Sequence, residues 1–161
     1  MDETEYKSPS SLLHEWVQEI IDEEPPTSIL NGVENHDSAH QTIEDDKGIY
    51  VSNAEWQFAP KLGTEAGVFD VLLILSFYYR VEGADKTERA AARDRVGAMA
   101  QIVASRMFGD QTLGNRFCDF LLLRAVDGSK SIKSDFYAII NLPVILNPSG
   151  ERIDYQLGEA K

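Results

Sequence analysis

The sequence predicts an α+β fold, an antiparallel β-sheet with two helices packed on one face. Two segments, at about residues 9–21 and 87–108, carry apolar residues at helical spacing. The stretch 68–81 instead alternates strictly, as a strand does. One of its faces is wholly apolar and the other is mixed. We therefore expect both helices to cover the apolar face. The mixed face is expected to be partly exposed to solvent or to contact another chain.

The first helix is expected to begin at Pro9, because Ser8 suits the N-cap position and proline is favoured in the first turn. Its apolar positions recur at steps of one, three and four, which places them in one stripe. They are Leu12, Leu13, Trp16, Val17, Ile20 and Ile21. Two consecutive prolines then stop the helix. Turn-forming and acidic residues predict a long acidic loop at about 27–47, with a short strand near Ile29–Leu30.

Short strands are expected at 49–51 and 55–58, before the long strand 68–81. A strand as long as 68–81 exceeds the usual ~5–6 residues and often extends beyond its own domain. The second helix follows, from Thr87 to about Phe108. Asp85 and Glu88 have the spacing of a capping box.

The apolar face of the second helix steps by four and three residues along its length. It consists of Ala92, Val96, Met99, Val103 and Met107. Gly109 is expected to stop the helix. Two further strands are predicted at 117–126 and 136–146. Pro143 has no amide hydrogen, so we expect the last strand to lie at a sheet edge or to carry a bulge there.

A length of 161 residues favours one domain. We expect a disordered N-terminus at 1–8, a single α+β domain at 9–147 and a polar C-terminal tail at 148–161. The single cysteine, Cys118, excludes an internal disulfide and is expected to be buried. Apolar runs are far shorter than the ~20 residues that a membrane helix needs, so a membrane protein is not expected.

The net charge of −12 is unevenly placed. Residues 1–60 hold 14 acidic and two basic residues, whereas residues 61–161 hold 13 of each sign. Such a block is typical of solvated loops, or of a surface that repels phosphate or attracts a basic partner. Tight DNA binding through the first third is disfavoured, because phosphate contacts need Lys and Arg.

The sequence offers no catalytic constellation. His36 and His40 lie four apart beside Asp37 and would suit zinc on a helix, but their polar neighbours favour a loop. His14 beside the first apolar stripe is expected to be a packing or surface histidine. We therefore expect no enzymatic activity, no catalytic residue, no cofactor and no metal site. Function is expected to lie in shape and association.

The order of elements and several segments resemble a known family. A short amphipathic helix comes first, and a long apolar strand runs into a Glu/Arg/Ala-rich helix. A Thr112-Leu113-Gly114 turn follows, and then strands that read Phe120–Val126 and Phe136–Val144. Over residues 9–146 this pattern resembles the tail terminator proteins of long-tailed bacteriophages and the related minor tail and tail-completion proteins.

The resemblance implies a structural virion protein of the tail or neck region, assembled in the host cytoplasm. Such proteins form a ring, usually a homohexamer, that caps the tail tube and stops its polymerisation. The ring joins the tail tube protein to a head-side connector or neck protein. DNA passes through the lumen without specific binding. No active-site residues come with the family.

Two sets of residues are expected to serve such a ring. Glu44, Asp45 and Asp46 are expected to face the lumen, because carboxylates repel the phosphates of passing DNA. Tyr78, Arg80 and Arg124 are expected at subunit contacts, and the first two lie on the mixed face of the long strand, which suggests a surface between subunits.

Other functions remain compatible with the sequence. A neck or head-completion ring would bind the connector rather than the tube. A small acidic interaction module unrelated to phage would mimic nucleic acid and bind a basic partner. A small enzyme or ligand-binding domain would enclose polar residues in a deep pocket.

Overall fold

A computed structural model describes six stretches of the chain: residues 7–36, 47–57, 70–83, 85–122, 124–132 and 135–148. These stretches form two helices and seven strands. In chain order they are α1 (Pro9–Glu23), β1 (Glu34–His36), β2 (Lys47–Gln57), β3 (Asp70–Glu82), α2 (Lys86–Gly109), β4 (Phe117–Leu122), β5 (Val126–Asp127), β6 (Lys130–Ile132) and β7 (Asp135–Pro148). The predicted α+β class is confirmed. The expected disordered N-terminus at 1–8 and the expected tail at 148–161 lie outside the described residues except for Lys7, Ser8 and Pro148.

The strands form a single sheet in the order β1-β2-β3-β7-β4, and β5 and β6 continue alongside β7 after β4 ends. All pairings are antiparallel except that of β1 with β2, which is parallel. Since β3 and β4 are each antiparallel to β7, they are parallel to each other. Helix α2 therefore crosses from β3 to β4, and β7 returns between them.

Helix α1 starts and ends where the sequence predicts. The Ser8 side chain accepts a hydrogen bond from the Ser11 amide at 3.2 Å, and proline occupies the first turn. At the other end Glu24 adopts an extended conformation with ψ 140°. That is the conformation the ring of a following proline imposes, so Pro25 ends the helix.

The short strand that follows α1 lies at Glu34–His36, so the prediction of a strand near Ile29–Leu30 is wrong. The backbone there forms turns instead, with the Ser28 amide bonded to the Pro25 carbonyl at 2.9 Å. Leu30 is fully buried, so its apolar side chain serves the core from a turn. The two apolar residues Ile29 and Leu30 did not by themselves distinguish a strand from a turn.

Helix α2 begins as predicted, with the Asp85 side chain accepting a hydrogen bond from the Glu88 amide at 2.9 Å. The predicted apolar face is buried throughout, and Ala100 joins it. Gly109 is the last helical residue, but it does not supply the left-handed turn expected of a glycine stop. That conformation occurs in the turn beyond, at Leu113, Gly114 and Asn115.

One face of the sheet carries the core. Every second residue of β3 pairs with an even-numbered residue of β7, from Val71 opposite Leu146 to Val81 opposite Phe136. These residues point to the side that α1 and α2 cover. The predicted apolar face of the long strand is thus confirmed, except that Phe69 lies outside the described residues. Strand β3 does not extend alone, because β7 runs beside it from Val71 to Glu82.

Strand β7 is a central strand, so the expectation that Pro143 marks a sheet edge is wrong. Its register with β3 is continuous through the Ile74–Pro143 pair. On the other side, pairing stops at Leu122–Val144 and resumes at Val126–Asn141. Three residues span this gap on the β4–β5 side and two on β7. Pro143 has no amide hydrogen to donate and lies opposite this interruption. The extra residue therefore lies between β4 and β5, and not on β7.

Other strand boundaries also differ from the predictions. The two short strands expected at 49–51 and 55–58 are one strand, β2, with a register shift between Asn53 and Glu55. The single strand expected at 117–126 is divided into β4 and β5. Cys118 is exposed rather than buried, since the β4–β7 register shifts between Phe117 and Asp119.

Gly48 is required by a close approach in the sheet. It pairs with Tyr78, and a Cβ atom there would lie 2.5 Å from the Tyr78 hydroxyl oxygen and 2.9 Å from the Glu34 carbonyl oxygen. We predict that Gly48→Ala lowers the free energy of unfolding by about 1–3 kcal/mol, because backbone atoms must shift. Chemical denaturation measures this change.

The matched control is Gly109→Ala, where a Cβ atom would meet nothing within 4 Å and φ is not positive. This variant should be neutral or slightly stabilising, because alanine favours a helix by roughly 0.5–1 kcal/mol over glycine. Equal stabilities of the two variants would contradict the packing described for Gly48.

Candidate assembly surfaces

The outer face of the sheet carries an apolar strip. The register that turns the odd residues of β3 inward turns the even residues of β3 and the odd residues of β7 outward. Leu72 lies opposite Ile145 and Ile74 opposite Pro143, and all four side chains are half-buried. We call these four residues the outer strip. Both described helices pack on the inner face, so no described helix covers the strip.

Polar groups fix the part of the outer face beyond the strip. The Ser76 hydroxyl donates to the Asn141 side-chain oxygen at 2.7 Å. Arg80 donates to Asp135 at 2.8 Å and lies 3.1 Å from Glu82. The hydrogen bond to Asp135 raises the pKa of Arg80. These cross-strand contacts hold β3 and β7 in register on the side without helices.

The structure separates the three residues expected at subunit contacts. Tyr78 is fully buried, over Gly48 and with its ring centroid 6.2 Å from that of His36, so it presents no surface in this conformation. Arg80 is 29% exposed and already bound to Asp135. Arg124 is exposed between β4 and β5. The residues expected in a lumen, Glu44, Asp45 and Asp46, lie outside the described residues.

Reciprocal hydrogen bonds fasten α1 to β1. The His14 Nε2 atom donates to the Asn35 carbonyl at 2.9 Å, and the Asn35 side-chain amide donates to the His14 carbonyl at 2.9 Å. The carbonyl can only accept, so His14 carries its proton on Nε2. His14 is thus a packing residue, as expected. The same amide lies 3.4 Å from the Gln18 oxygen, so this flank of α1 faces the β1 edge.

The opposite flank of α1 is held by ion pairs. Arg116 contacts Glu15 and Glu19, and Arg106 of α2 contacts Glu23 at 3.2 Å and Glu24 at 3.4 Å. A hydrogen bond from Lys7 is the main cause of the lowered pKa of Glu15. Part of the acidic surplus of the N-terminal third is therefore neutralised within the chain.

Four cations line the other end of the sheet. Lys86, Arg89 and Arg93 recur at steps of three and four, so they share one flank of α2. The Arg89 guanidinium lies 5.4 Å from the centre of the Phe136 ring, and Arg93 lies 3.6 Å from Asp127 on β5. With Arg124 we call these residues the basic edge. All four are exposed, as is Val126 at 43%. The basic edge was not predicted from the sequence, although the spacing of the three α2 cations indicates it.

Two grooves open on the helix side. One, of about 250 Å³, lies between α1 and the C-terminal end of α2, beside Trp16 and Arg106. The other, of about 450 Å³, lies at the N-terminal end of α2, where the Tyr79 hydroxyl and the Arg95 guanidinium are 2.6 Å apart.

Among the described residues, no group of three or more His, Cys, Asp or Glu side chains is placed to hold a metal ion. His36 lies on a strand, and His40 lies outside the described residues. Neither described helix is long and apolar enough to span a bilayer.

Comparison with known proteins assigns no family to this arrangement. Neither a protein-family model nor a curated protein matches the chain. The surfaces described above are therefore the basis for any functional proposal.

The turn between β5 and β6 rests on one carboxylate. Asp127 accepts hydrogen bonds from the Ser129 hydroxyl at 2.6 Å and from the Ser129 amide at 2.8 Å. The hydroxyl bond is the main cause of the lowered pKa of Asp127, followed by the amide bond. Because the folded-state pKa lies below the unfolded value, these bonds stabilise the fold at neutral pH. Their contribution is lost as the pH falls through the folded-state pKa.

We predict that Ser129→Ala raises the pKa of Asp127 towards its ordinary value, because the hydroxyl donor is removed while the amide donor remains. An NMR titration of the side-chain carboxyl resonance measures the shift. Asp119 is a suitable internal reference, because Ser129→Ala touches none of its contacts. An unchanged Asp127 pKa would show that the hydroxyl bond does not form in solution.

Proposed function

We propose that this protein is a ring-forming structural component of a phage tail, which ends the tail tube and joins it to the head-side connector. The observation that carries the proposal is the outer strip. Four apolar side chains lie in adjacent register positions on a sheet face that no described helix covers. Contiguous apolar surface of this kind is typical of sites that another protein covers.

The two faces of the sheet differ in a way that suits such a role. The inner face is sealed by α1 and α2, with Val71, Leu73 and Leu75 fully buried. The outer face combines the outer strip with the polar Ser76–Asn141 pair. A protein that stops a growing tube must match the tube on one face only, and its other face must not accept a further tube ring. A sheet with helices on one face and the outer strip on the other provides this difference between faces.

The ends of the sheet also support association. Among the described residues, β1 pairs only with β2, and β5 and β6 pair only with β7. Their outward backbone groups are available to a neighbouring subunit, which is how exposed sheet edges commonly bind. Contact between two different ends of the same chain is heterologous, and heterologous contacts that close produce rings.

The test is the length of tail tubes grown from the major tube protein of the same virus. Negative-stain images should show tubes of defined length, ended by a ring, when this chain is present. Uncontrolled lengths in its presence would refute the proposal. A pull-down adds a second outcome, because binding to the connector but not to the tube protein would instead indicate a neck protein.

We predict that Ile74→Glu abolishes capping, since it places a charge in the centre of the outer strip opposite Pro143. The fold should persist, because Ile74 is only half-buried on the outer face. Tube length in negative stain and circular dichroism of the variant measure the two effects.

The matched control is Gln101→Glu, which adds the same charge at an exposed position of α2 on the helix side. It should cap tubes as the unmodified chain does. Capping by Ile74→Glu at the level of this control would exclude the outer strip as the tube-binding surface.

A further inference from the structure

The two ends of the sheet carry opposite charge. At the β5–β6 end lies the basic edge, and Asp127 of β5 contacts one of its four cations, Arg93. The Asp127 carboxylate is 49% exposed and lies 3.6 Å from Arg93, so it reduces the positive charge of this edge without cancelling it. This concentration of cations contrasts with a net charge of −12 for the whole chain.

The β1 end is acidic. Residues 7–36, which form α1 and β1, hold six acidic residues and one basic residue. Ion pairs with Arg106 and Arg116 occupy the α1 flank that faces α2. Two acidic residues lie elsewhere. Glu34 is exposed on β1, and Asp22 is exposed on α1, where it accepts a hydrogen bond from Gln18 at 3.0 Å.

These two acidic residues belong to the same end of the molecule. His14, Gln18 and Asp22 follow at steps of four and share one flank of α1. His14 and Gln18 both contact Asn35 of β1. The flank that carries Asp22 therefore faces β1. Because the Asn35 side chain meets α1 and side chains alternate along a strand, Glu34 points to the other face of the sheet at this same end. We call Asp22 and Glu34 the acidic edge. In the sheet order, β1 is the first strand, and β5 and β6 pair with β7 on its far side.

We propose that the acidic edge of one copy of this chain binds the basic edge of the next copy. This inference rests on the proposed ring and names the surfaces through which its subunits meet. The second copy is the partner that the charges favour, because every chain brings both the excess of cations at one end and the carboxylates that complement it at the other. Two different ends meet at each contact, so the contact is heterologous and repeats from subunit to subunit.

Backbone N–H and C=O groups at the strand edges also determine the relative orientation of the two subunits in this contact. The strands at both ends are open among the described residues, so the edges can meet in a strand-to-strand manner. Val126 is 43% exposed on β5 and gains apolar burial when a neighbour covers it. The exposed charges contribute mainly to orientation and to the rate of association, and salt weakens them.

The test is a pair of charge-reversed variants. Arg89→Glu/Arg93→Glu reverses the basic edge, and Asp22→Lys/Glu34→Lys reverses the acidic edge. Light scattering at 0.1 M salt measures the mass of each variant alone and of an equimolar mixture. Each variant alone should need at least about tenfold more protein than the unmodified chain to assemble, because like charges then meet at every contact.

The mixture is the decisive sample. A reversed basic edge meets a reversed acidic edge in it, and a native basic edge meets a native acidic edge, so alternating assemblies regain opposite charges at every contact. Recovery of the mass of the unmodified assembly supports the proposal. A mixture that stays as dissociated as its components, or a basic-edge variant that assembles normally by itself, overturns it.

A single-residue comparison controls for net charge and for folding. Arg93→Glu and Arg95→Glu make the same charge change two residues apart, but Arg95 lies on the opposite flank of α2, against Tyr79. Only Arg93→Glu should weaken assembly, and both should retain the circular dichroism of the unmodified chain. Equal weakening by both variants would assign the effect to net charge and overturn the edge contact.

Failure of this inference differs from failure of the proposed function. Rings that a variant with only one reversed edge forms by itself, as readily as the unmodified chain, refute the edge contact and leave tube capping intact. Rings that depend on the edges but never limit tube length refute the tail role and leave the edge contact standing.

Discussion

The pairing of β3 with β7 is the constraint on which the rest of the structure depends. Twelve residue pairs run without a shift from Val71–Leu146 to Glu82–Asp135. Since side chains alternate across a strand, this single register decides the face of every residue on both strands. A slip of one residue would turn Val144 and Leu142 to the outside and bring Pro143 into the core. The Ser76–Asn141 hydrogen bond and the Arg80–Asp135 ion pair are satisfied in this register and oppose such a slip.

The helices follow from that register. Helix α2 packs Ala92, Val96 and Met99 against the inner face over β3 and β7, and α1 extends the layer towards β1 and β2. Helix α1 has acidic residues and no basic residue in its last turn, which opposes the helix dipole. Contacts to other elements compensate for this disadvantage. Arg106 reaches the carboxylates at the C-terminal end of α1, and the reciprocal His14–Asn35 hydrogen bonds fix its middle. The outer face receives no helix in the described residues, and the side chains of the outer strip are half-buried there.

Features that depend on neighbouring residues along the chain were predicted correctly from the sequence. Features that depend on the pairing of strands distant in sequence were not. Caps at Ser8 and Asp85 and the stripe of α2 are local signals, and the structure confirms them. The central position of β7 is not a local feature, because the donor missing at Pro143 is accommodated by the interruption between β4 and β5. Of the candidate site residues, only Arg124 is freely exposed in the described part of the chain, whereas Tyr78 is buried over Gly48. Alternation placed Tyr78 on the outer face, but it could not indicate that a glycine on β2 makes room for the ring.

The location of charge matters more than its total. In the proposed ring, the net charge of −12 on every copy opposes association, because like charges repel. Here the α1 carboxylates nearest α2 are paired internally with Arg106 and Arg116. Three other cations of α2, Lys86, Arg89 and Arg93, lie on the flank that faces β5. This arrangement gives the two ends of the sheet opposite charge. Opposite ends of two copies attract each other at short range, although the net charges of the copies repel. Two acidic edges or two basic edges repel each other, so the proposed contact favours the orientation that joins opposite ends.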